Sequence, residues 1–256
     1  MIDYTPSIIR VVDLETTGFA PPAEVCEIGW TDLLPAARDL TGAPIDWAPA
    51  SVGGRLFTAS LVRTTRPIPP ETSAIHHIVD EDLAGRGACE WPAALREVMS
   101  PFGDRRRPIF AAHNARMERQ WITPEATGEV RWICTYKAAL RLWPEAPSHS
   151  NQALRYWRNL PVDRAVADTA HRAGPDAYVT AHLLSHMLAE PDVTVEKLVA
   201  WTEEPALLAK CRMGSWRGRR WSEIDEPGFL EWVLRRDFDE DTLFTARFHL
   251  DRLLEG

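Results

Sequence analysis

The chain of 256 residues is long enough for one sizeable domain, or for one domain with a small appendage. Hydrophobic residues make up 45% of it and charged residues 26%, which is typical of a globular protein and excludes a chain that is disordered throughout. The net charge of −8 argues against a protein that coats nucleic acid by general electrostatic attraction, although local basic strips on an acidic body are compatible with it.

Targeting signals and cysteine usage favour a cytoplasmic protein without a membrane partner. The N-terminal stretch "MIDYTPSIIRVVDLE" has neither a basic region nor a small-residue cleavage site, so we expect no signal peptide. No apolar run approaches the roughly 18–20 residues that cross a membrane. The cysteines are scattered without a C-x-x-C pair, and we expect reduced thiols at Cys26, Cys89, Cys134 and Cys211.

Apolar, β-branched stretches predict a sheet in the first half of the chain. "SIIRVVDL" predicts a central strand, "EVCEIGWTDLL" and "RLFTASLVRT" predict the next two strands of a meander, and "RRPIFAAHN" predicts a further buried strand. The Pro-, Ala- and Gly-rich residues 35–54 predict a long surface loop. "CEWPAALREVMSPF" predicts a helix, and helical patterns dominate from Ala115 to about Glu190. Strands first and helices after them predict an α/β layer fold.

The composition of the chain changes after Pro191, and we predict a soft domain boundary near residue 195. "PDVTVEKLVAWTEEPALLAK" predicts a connecting helical segment, "CRMGSWRGRRW" is rich in Gly and Arg, and the remainder is acidic and helix-like. The predicted domains are therefore residues 1–195 and a small module of residues 196–256. A module of about sixty residues is marginally stable alone, so we expect it to pack against the first domain and to be stabilised by it.

Two carboxylates end the first predicted strand in "VVDLETTG". Asp13 and Glu15 are two residues apart and therefore project from the same face of the strand. Such a close pair of like charges repels unless a cation lies between them, and hard oxygen ligands favour Mg²⁺ or Mn²⁺. From this stretch alone, a pair that simply faces solvent is an equally good interpretation.

Two further carboxylates fall on the apolar faces of predicted helices. A helix that begins just after Asn114 places Glu118 on its apolar stripe, and a helix that begins at Pro175 turns Asp176 inward. A lone carboxylate on an apolar face is unfavourable unless it is paired or binds a metal. These acids therefore favour a metal site, with His171 in the loop that precedes the second helix.

"VVDLETTG", "AAHNARME" and "HRAGPDA", in this order and spacing, resemble the three motifs of the DEDDh (DnaQ-like) family of 3′→5′ exonucleases. "RWICTYKAALRLWPEAPSHSNQALRYW" and "MGSWRGRRWSEIDEPGFLEWVLRR" are similar to the corresponding parts of the exodeoxyribonuclease X branch. The resemblance covers nearly the whole chain apart from residues 35–54. It implies a ribonuclease-H-like exonuclease fold, with a mixed central sheet flanked by helices, and a small C-terminal module.

The resemblance also implies a metal-dependent 3′→5′ exodeoxyribonuclease that acts on free 3′ ends of single strands or duplexes with little sequence preference. Asp13, Glu15 and Asp176 match three of the family's four metal-binding acids, and His171 matches its general base. Two Mg²⁺ or Mn²⁺ ions about 3.5–4 Å apart would clamp the scissile phosphate, and His171 would accept a proton from the attacking water. Asp13 would contact both ions.

Glu118 stands where the family has Asp, and this is the main departure from its pattern. The additional methylene lengthens an arm that must reach a fixed metal, and a shift of about 1 Å can reduce catalysis about a hundredfold. We expect Glu118 to act as the fourth ligand, with activity retained and metal preference altered. A weakened protein that only binds nucleic-acid ends, and an exoribonuclease, are the alternatives.

Several residues near these motifs are candidates for substrate binding. Thr16, Thr17 and Gly18 form a turn that can present backbone donors to the terminal nucleotide, and Phe19 can stack on the last base or pack as a loop anchor. His113 and Asn114 end a strand beside the predicted site. By resemblance, His76 falls where the family lines the nucleotide pocket.

Two basic strips can follow a phosphate backbone. The first, on the helices after the second motif, is most simply a solvated face; its members are Lys137, Arg141, Arg155 and Arg158. The second belongs to the C-terminal module and is interleaved with Trp216 and Trp221; its members are Lys210, Arg212, Arg217, Arg219 and Arg220. Arginine alternating with aromatic residues favours nonspecific binding of a single strand, so the module is a candidate nucleic-acid-binding module.

Overall fold

The computed structural model describes residues 8–51, 53–100 and 109–255, in which a mixed sheet lies between two layers of helices. The strands are β1 (Ile9–Thr16), β2 (Val25–Arg38), β3 (Pro44–Pro49), β4 (Thr58–Leu61), β5 (Ile109–Ala112) and β6 (Arg131–Cys134). Their order is β3-β2-β1-β5-β6, and β4 also pairs with β2. β2 is antiparallel to β1, β3 and β4, whereas β5 is parallel to both β1 and β6. The predicted α/β class with a mixed central sheet is confirmed.

Helices cover the sheet; some lie between strands along the chain, and most follow β6. Their bounds are α1 (Pro70–His76), α2 (Asp80–Leu83), α3 (Trp91–Met99), α4 (Pro124–Thr127), α5 (Thr135–Leu142), α6 (Asn151–Trp157), α7 (Arg164–Ala167), α8 (Ala173–Leu188), α9 (Val195–Glu203), α10 (Pro227–Leu234) and α11 (Glu240–Glu255). None of these helices, in the part of the chain that is described, has the length and apolarity needed to cross a membrane. The cysteines are all free thiols, as predicted.

The alternating side chains of β1 build two separate hydrophobic cores. Ile9 and Val11 pack with residues of α5, α6, α8 and α9 on one face, whereas Val12 and Leu14 pack with α3 on the other. Burial on both faces explains why the strand is almost continuously apolar. The same alternation turns Asp13 and Glu15 toward the face covered by α8.

Two strands lie where the sequence predicted other structure. Residues 35–54, predicted to form a loop, contain β3, because β2 continues to Arg38 and a tight turn at Asp39 reverses the chain. The Asp39 carboxylate accepts hydrogen bonds from the N–H groups of Thr41 and Ala43 at 2.8 and 3.0 Å. β3 lies at an edge of the sheet, where Pro44 and Pro49 are tolerated because edge positions need not donate to a neighbour.

The second missed strand, β6, lies inside the region predicted to be helical. It has only four residues, "RWIC", and such a short apolar run has no periodicity that separates it from a buried helix. Before it the predicted helical region holds only the short α4 and a 3₁₀ turn, and its longer helices follow β6. Residues 101–108, which contain the end of one predicted helix and the start of the next predicted strand, lie outside the described residues.

The C-terminal residues have a hydrophobic core of their own. Trp216, Trp221, Leu230, Val233 and other residues of this region pack together. By contrast, Val195 and Leu198 of α9 belong to the core of the first domain. The cores therefore divide after α9, and the boundary near residue 195 remains a prediction.

Candidate active site

Three carboxylates from β1 and α8 lie together at the end of the sheet. One oxygen from each of Asp13, Glu15 and Asp176 lies within 4.8 Å of the others. β1 supplies two of them because strand residues two apart share a face, and the first turn of α8 supplies the third. We call these three residues the acid cluster.

Burial and mutual repulsion both disfavour the charged forms of these acids. The pKa of Asp13 is raised well above its usual value by burial, and the charges of Asp176 and Glu15 raise it further. Burial, followed by the charge of Asp176, raises the pKa of Glu15 to about 8. Burial also raises the pKa of Asp176. An uncompensated cluster of this kind is unfavourable at neutral pH, and a divalent cation would stabilise its charged form.

Glu118 lies beside the acid cluster but outside it. It begins a short 3₁₀ turn, Glu118–Gln120, rather than the α-helix predicted after Asn114. The side chain still points inward, is only 3% exposed, and has a pKa raised to about 8, chiefly by burial. Its Oε2 atom is buried and has no hydrogen-bond partner in the part of the chain that is described.

These donors suit a divalent metal. All four side chains offer carboxylate oxygens, which are the hard ligands that Mg²⁺, Mn²⁺ and Ca²⁺ accept. The unpaired oxygen of Glu118 is a further donor whose burial is otherwise unfavourable. A divalent ion held by these acids therefore fits the structure, while the identity of the ion stays a prediction.

His171 precedes the first turn of α8, which begins at Ala173, two residues before the predicted start at Pro175. The His171 side chain is exposed, and its backbone adopts a left-handed conformation with φ of 59°. Its N–H donates to Oδ2 of Asp176 at 2.7 Å, and Gln152 donates to Oδ1 at 3.2 Å. The exposed imidazole is thus anchored through its backbone to an acid of the cluster.

Glu27 and Arg172 support the acid cluster, although the sequence analysis assigned no role to either. Glu27 lies opposite Glu15 in the β1–β2 register and is 3% exposed. Its carboxylate accepts hydrogen bonds from the Arg172 guanidinium at 2.6 and 3.0 Å and from the Ala173 N–H at 2.9 Å. A glutamate inside the apolar run "VCEIGW" was the available signal. Its partner, far along the chain, could not be read from the sequence.

In the turn after β1, the threonine hydroxyl groups form hydrogen bonds with the backbone of the same loop. The Thr16 hydroxyl donates to the Gly18 carbonyl at 2.7 Å, and the Thr17 hydroxyl accepts from the Glu24 N–H at 2.9 Å. Phe19 extends from this turn with 87% of its side chain exposed, and Gln120 donates to its carbonyl at 3.2 Å. Phe19 is therefore free to contact a ligand, whereas the threonine hydroxyls shape the turn.

His76 is enclosed rather than presented to a ligand, whereas His113 is half-buried and has hydrogen-bond partners at both ring nitrogens. His76 is 2% exposed and accepts from the Ile78 N–H at 3.1 Å, so in this structure its ring does not line a nucleotide pocket. Burial lowers the pKa of His113 to about 4. Its Nε2 donates to the His149 carbonyl at 2.8 Å, which ties the turn after β5 to the loop before α6. Asn114, exposed with φ of 73°, is accessible there.

The two arginines predicted to bind substrate differ in their surroundings. Arg217 is exposed and lines a groove of about 960 Å³ between the C-terminal core and the first domain. The Arg219 guanidinium lies 4.9 Å from the ring centre of Trp216. Trp216 and Trp221 are both buried in the C-terminal core, so their rings are not available to a bound strand.

Comparison with known proteins confirms the resemblance. A scan against models of protein families gives no match. The chain is 31% identical over 230 residues to exodeoxyribonuclease 10 of Escherichia coli K12, spanning 88% of this chain and 90% of that protein. A solved structure of exonuclease X with 5′-overhanging duplex DNA superposes with a TM-score of 0.56 at 27% identity, covering 76% of this chain and 99% of that one.

Exonuclease I extends the likeness in fold. The structure of the E. coli enzyme with single-stranded DNA has a TM-score of 0.53 at 15% identity, covering 77% of this chain and 42% of that one. The fold is therefore that of the ribonuclease-H-like exonucleases, as predicted.

Proposed function

Because this chain belongs to the exodeoxyribonuclease X family, we propose that it hydrolyses DNA from the 3′ end with little sequence preference. The observation that carries the proposal is the acid cluster, in which carboxylates of β1 and α8 come within 4.8 Å of one another. Exodeoxyribonuclease 10 is a relative over most of its length, and the exonuclease X structure contains duplex DNA with a 5′ overhang. The proposed substrate is accordingly a free DNA 3′ end, in a cytoplasmic protein.

The acids and His171 have distinct proposed tasks. Asp13, Glu15, Asp176 and Glu118 would hold two divalent ions, Mg²⁺ or Mn²⁺. Bound there, the ions would supply positive charge at the scissile phosphate and Lewis acidity toward water and the leaving oxygen. His171 accepts the proton of the attacking water at its imidazole, because its exposed side chain is anchored beside Asp176. Phe19 stacks on the terminal base, and Thr16, Thr17 and Gly18 hold the turn that presents it.

A 5′-labelled single strand incubated with Mg²⁺ or Mn²⁺ tests the proposal. We expect a descending ladder of products, because cleavage from the 3′ end leaves the label on every intermediate. Asp13→Asn should abolish the ladder, whereas Asp225→Asn, at an exposed site in the C-terminal region, should not change it. The absence of a ladder with either metal, on single-stranded and duplex ends alike, contradicts the proposed function.

Glu118 supports a second candidate, a protein that binds 3′ ends without turnover. The observation that favours it is the position of this longer side chain outside the acid cluster. Glu118→Asp discriminates between the candidates. A rate that rises about a hundredfold indicates a compromised native site, whereas a small change accompanied by an altered ratio of Mg²⁺ to Mn²⁺ rates supports a working enzyme. Competing ribo- and deoxyribo-oligonucleotides in one reaction test the exoribonuclease alternative.

A further inference from the structure

We propose that the groove between the first domain and the C-terminal core binds the single DNA strand that leads to the cleaved 3′ end. This inference rests on the proposed function and extends it to nucleotides beyond the terminal one. We call the feature the interdomain groove. Its walls include Asn114, His149 and Ser150 on one side and Lys210, Arg212 and Arg217 on the other.

The C-terminal wall carries positive charge without ion-pair partners. Lys210, Arg212 and Arg217 are exposed, and none of them forms an ion pair within residues 8–51, 53–100 and 109–255. Arg217 donates instead to the Arg212 carbonyl at 3.1 Å, and Lys210 donates to the Pro147 carbonyl at 3.3 Å. The first contact holds Arg217 beside Arg212, and the second brings the Lys210 ammonium to the opposite wall of the groove, so positive charge lies along it and favours an anionic ligand.

Nearby arginines do not share this property. Arg220 pairs with Glu223 at 2.7 Å, and Arg141 pairs with Glu204 at 2.7 Å. Arg219 lies over the buried Trp216 and does not line the interdomain groove. The structure therefore selects Lys210, Arg212 and Arg217 from the basic strip that the sequence predicted as a whole.

Two groove residues of the first domain, Asn114 and Ser150, are joined through short segments to residues around the acid cluster. Asn114 is in the turn that continues to Glu118. Ser150 is followed by Asn151 and Gln152, which donate to the backbone carbonyl and the Oδ1 of Asp176 at 3.3 and 3.2 Å. A strand whose 3′ end lies at the acids can therefore continue into the groove.

The lining of the interdomain groove favours one strand. The groove has a volume of about 960 Å³, and Tyr136 and Leu140 line it together with the cations, which suits a single strand whose bases are not paired. Basic grooves that follow a single backbone bind phosphates through charge, without reading base edges. Binding of this kind is compatible with little sequence preference.

The test measures binding of full-length protein to 5′-fluorescein-labelled oligothymidylate of twelve nucleotides by fluorescence anisotropy. All proteins carry Asp13→Asn so that the probe stays intact. The groove variant is Lys210→Ala/Arg212→Ala/Arg217→Ala. The matched control, Arg38→Ala/Arg86→Ala/Arg96→Ala, removes the same charge from exposed residues outside the groove.

We expect the groove variant to bind at least tenfold more weakly in 50 mM salt. Its plot of log affinity against log salt should be less steep by about 2, because each lost phosphate contact on a single strand removes about 0.7 from the slope. The control variant should behave like the parent. Affinity of the parent should rise between three and twelve nucleotides, whereas that of the groove variant should stay nearly constant.

Equal binding by the groove and control variants overturns the inference, as does an equal loss on the three-nucleotide probe. If a thermal melt shows that the triple variant is unfolded, Lys210→Glu and Arg217→Glu are tested singly, and the DNA affinity of each is compared with that of the control variant. Competition by blunt duplex as strong as by single strand also contradicts it. The labelled-strand assay with native Asp13 tests the proposed function separately from the groove. If the protein cleaves the strand but the groove variant binds DNA as tightly as the control, the proposed function stands and only the groove inference fails.

Discussion

At the residue scale, an ion pair between the buried Glu27 and Arg172 supports the acid cluster. Glu15 and Glu27 lie opposite each other on β1 and β2, and both are close to Arg172. Arg172 lowers the pKa of Glu15, but burial and the neighbouring acids outweigh it and raise that pKa to about 8. The two hydrogen bonds from Arg172 go to Glu27 rather than to Glu15. Arg172 therefore fixes the segment that carries His171 and leaves Glu15 available for a cation.

Glu27→Gln should lower both activity and stability. The amide cannot form a charge-assisted pair with Arg172, and a hydrogen bond to a charged group contributes about 2 kcal/mol. We expect the melting temperature to fall by about 4–8 °C and kcat by about tenfold, with KM little changed, because the start of α8 shifts while the nucleotide contacts remain. Thermal melts and steady-state kinetics measure both effects.

Glu90→Gln is the control for that substitution. Glu90 also pairs with an arginine, Arg63, but the pair is exposed, with side chains 41% and 69% accessible. Exposed pairs contribute about 0–1 kcal/mol, so the control should melt close to the native protein. If Glu27→Gln leaves kcat and its pH profile unchanged while lowering the melting temperature, the role of Glu27 is structural only.

At the element scale, the acid cluster depends on the close packing of β2 against the first turn of α8. Gly29 lies opposite Asp13 in the β1–β2 register. A Cβ at Gly29 would lie 2.2 Å from backbone atoms of Ala173 and Gly174, so only glycine allows this approach. The absence of one side chain thus decides how near Asp176 comes to Asp13.

Gly29→Ala should displace the first turn of α8. Backbone atoms cannot move aside as a flexible side chain does, so we expect a loss of about 1–3 kcal/mol in the free energy of unfolding. Cleavage of the labelled strand should slow at least tenfold, because Asp176 and His171 move with the helix. Gly87→Ala is the control, since a Cβ there meets nothing within 4 Å. Native rates in Gly29→Ala would contradict the argument.

At the scale of the whole molecule, the buried acids link stability to pH and to metal. The pKa values of Glu15 and Glu118 are each raised to about 8 from 4.5. Between these values the folded state binds more protons than the unfolded state, so the free energy of unfolding falls as pH rises. Metal-free protein should therefore lose stability between about pH 4.5 and pH 8.

A divalent cation should reverse this loss. At pH 8 and about a hundred times its dissociation constant, Mg²⁺ should contribute about 2.7 kcal/mol and raise the melting temperature by about 5 °C or more. At pH 5 the effect should be small, because protons compete for the same carboxylates. Thermal melts with chelator or Mg²⁺ across this pH range measure it. An equal metal effect at both pH values, or the same effect in Asp13→Asn, contradicts the prediction.

The sequence by itself determined the fold class and the motif residues, for a local reason. Period-two alternation in "VVDLETTG" places Asp13 and Glu15 on one face wherever the strand lies, and the inward acids Glu118 and Asp176 follow from apolar spacing on their own segments. Short or irregular strands could not be predicted from such periodicity. β6 is too short to show a period, and β3 exists only because β2 offers it an edge.

Only the tertiary structure decided what lies next to what. The Glu27–Arg172 pair, the approach permitted by Gly29 and the interdomain groove each join residues far apart in the chain, so no local pattern contains them. Burial likewise separated His76, Trp216 and Trp221, which are enclosed, from Phe19 and Arg217, which are exposed. The reason is physical: the chemical type of a residue is local information, whereas its neighbours and its access to solvent are properties of the packed chain.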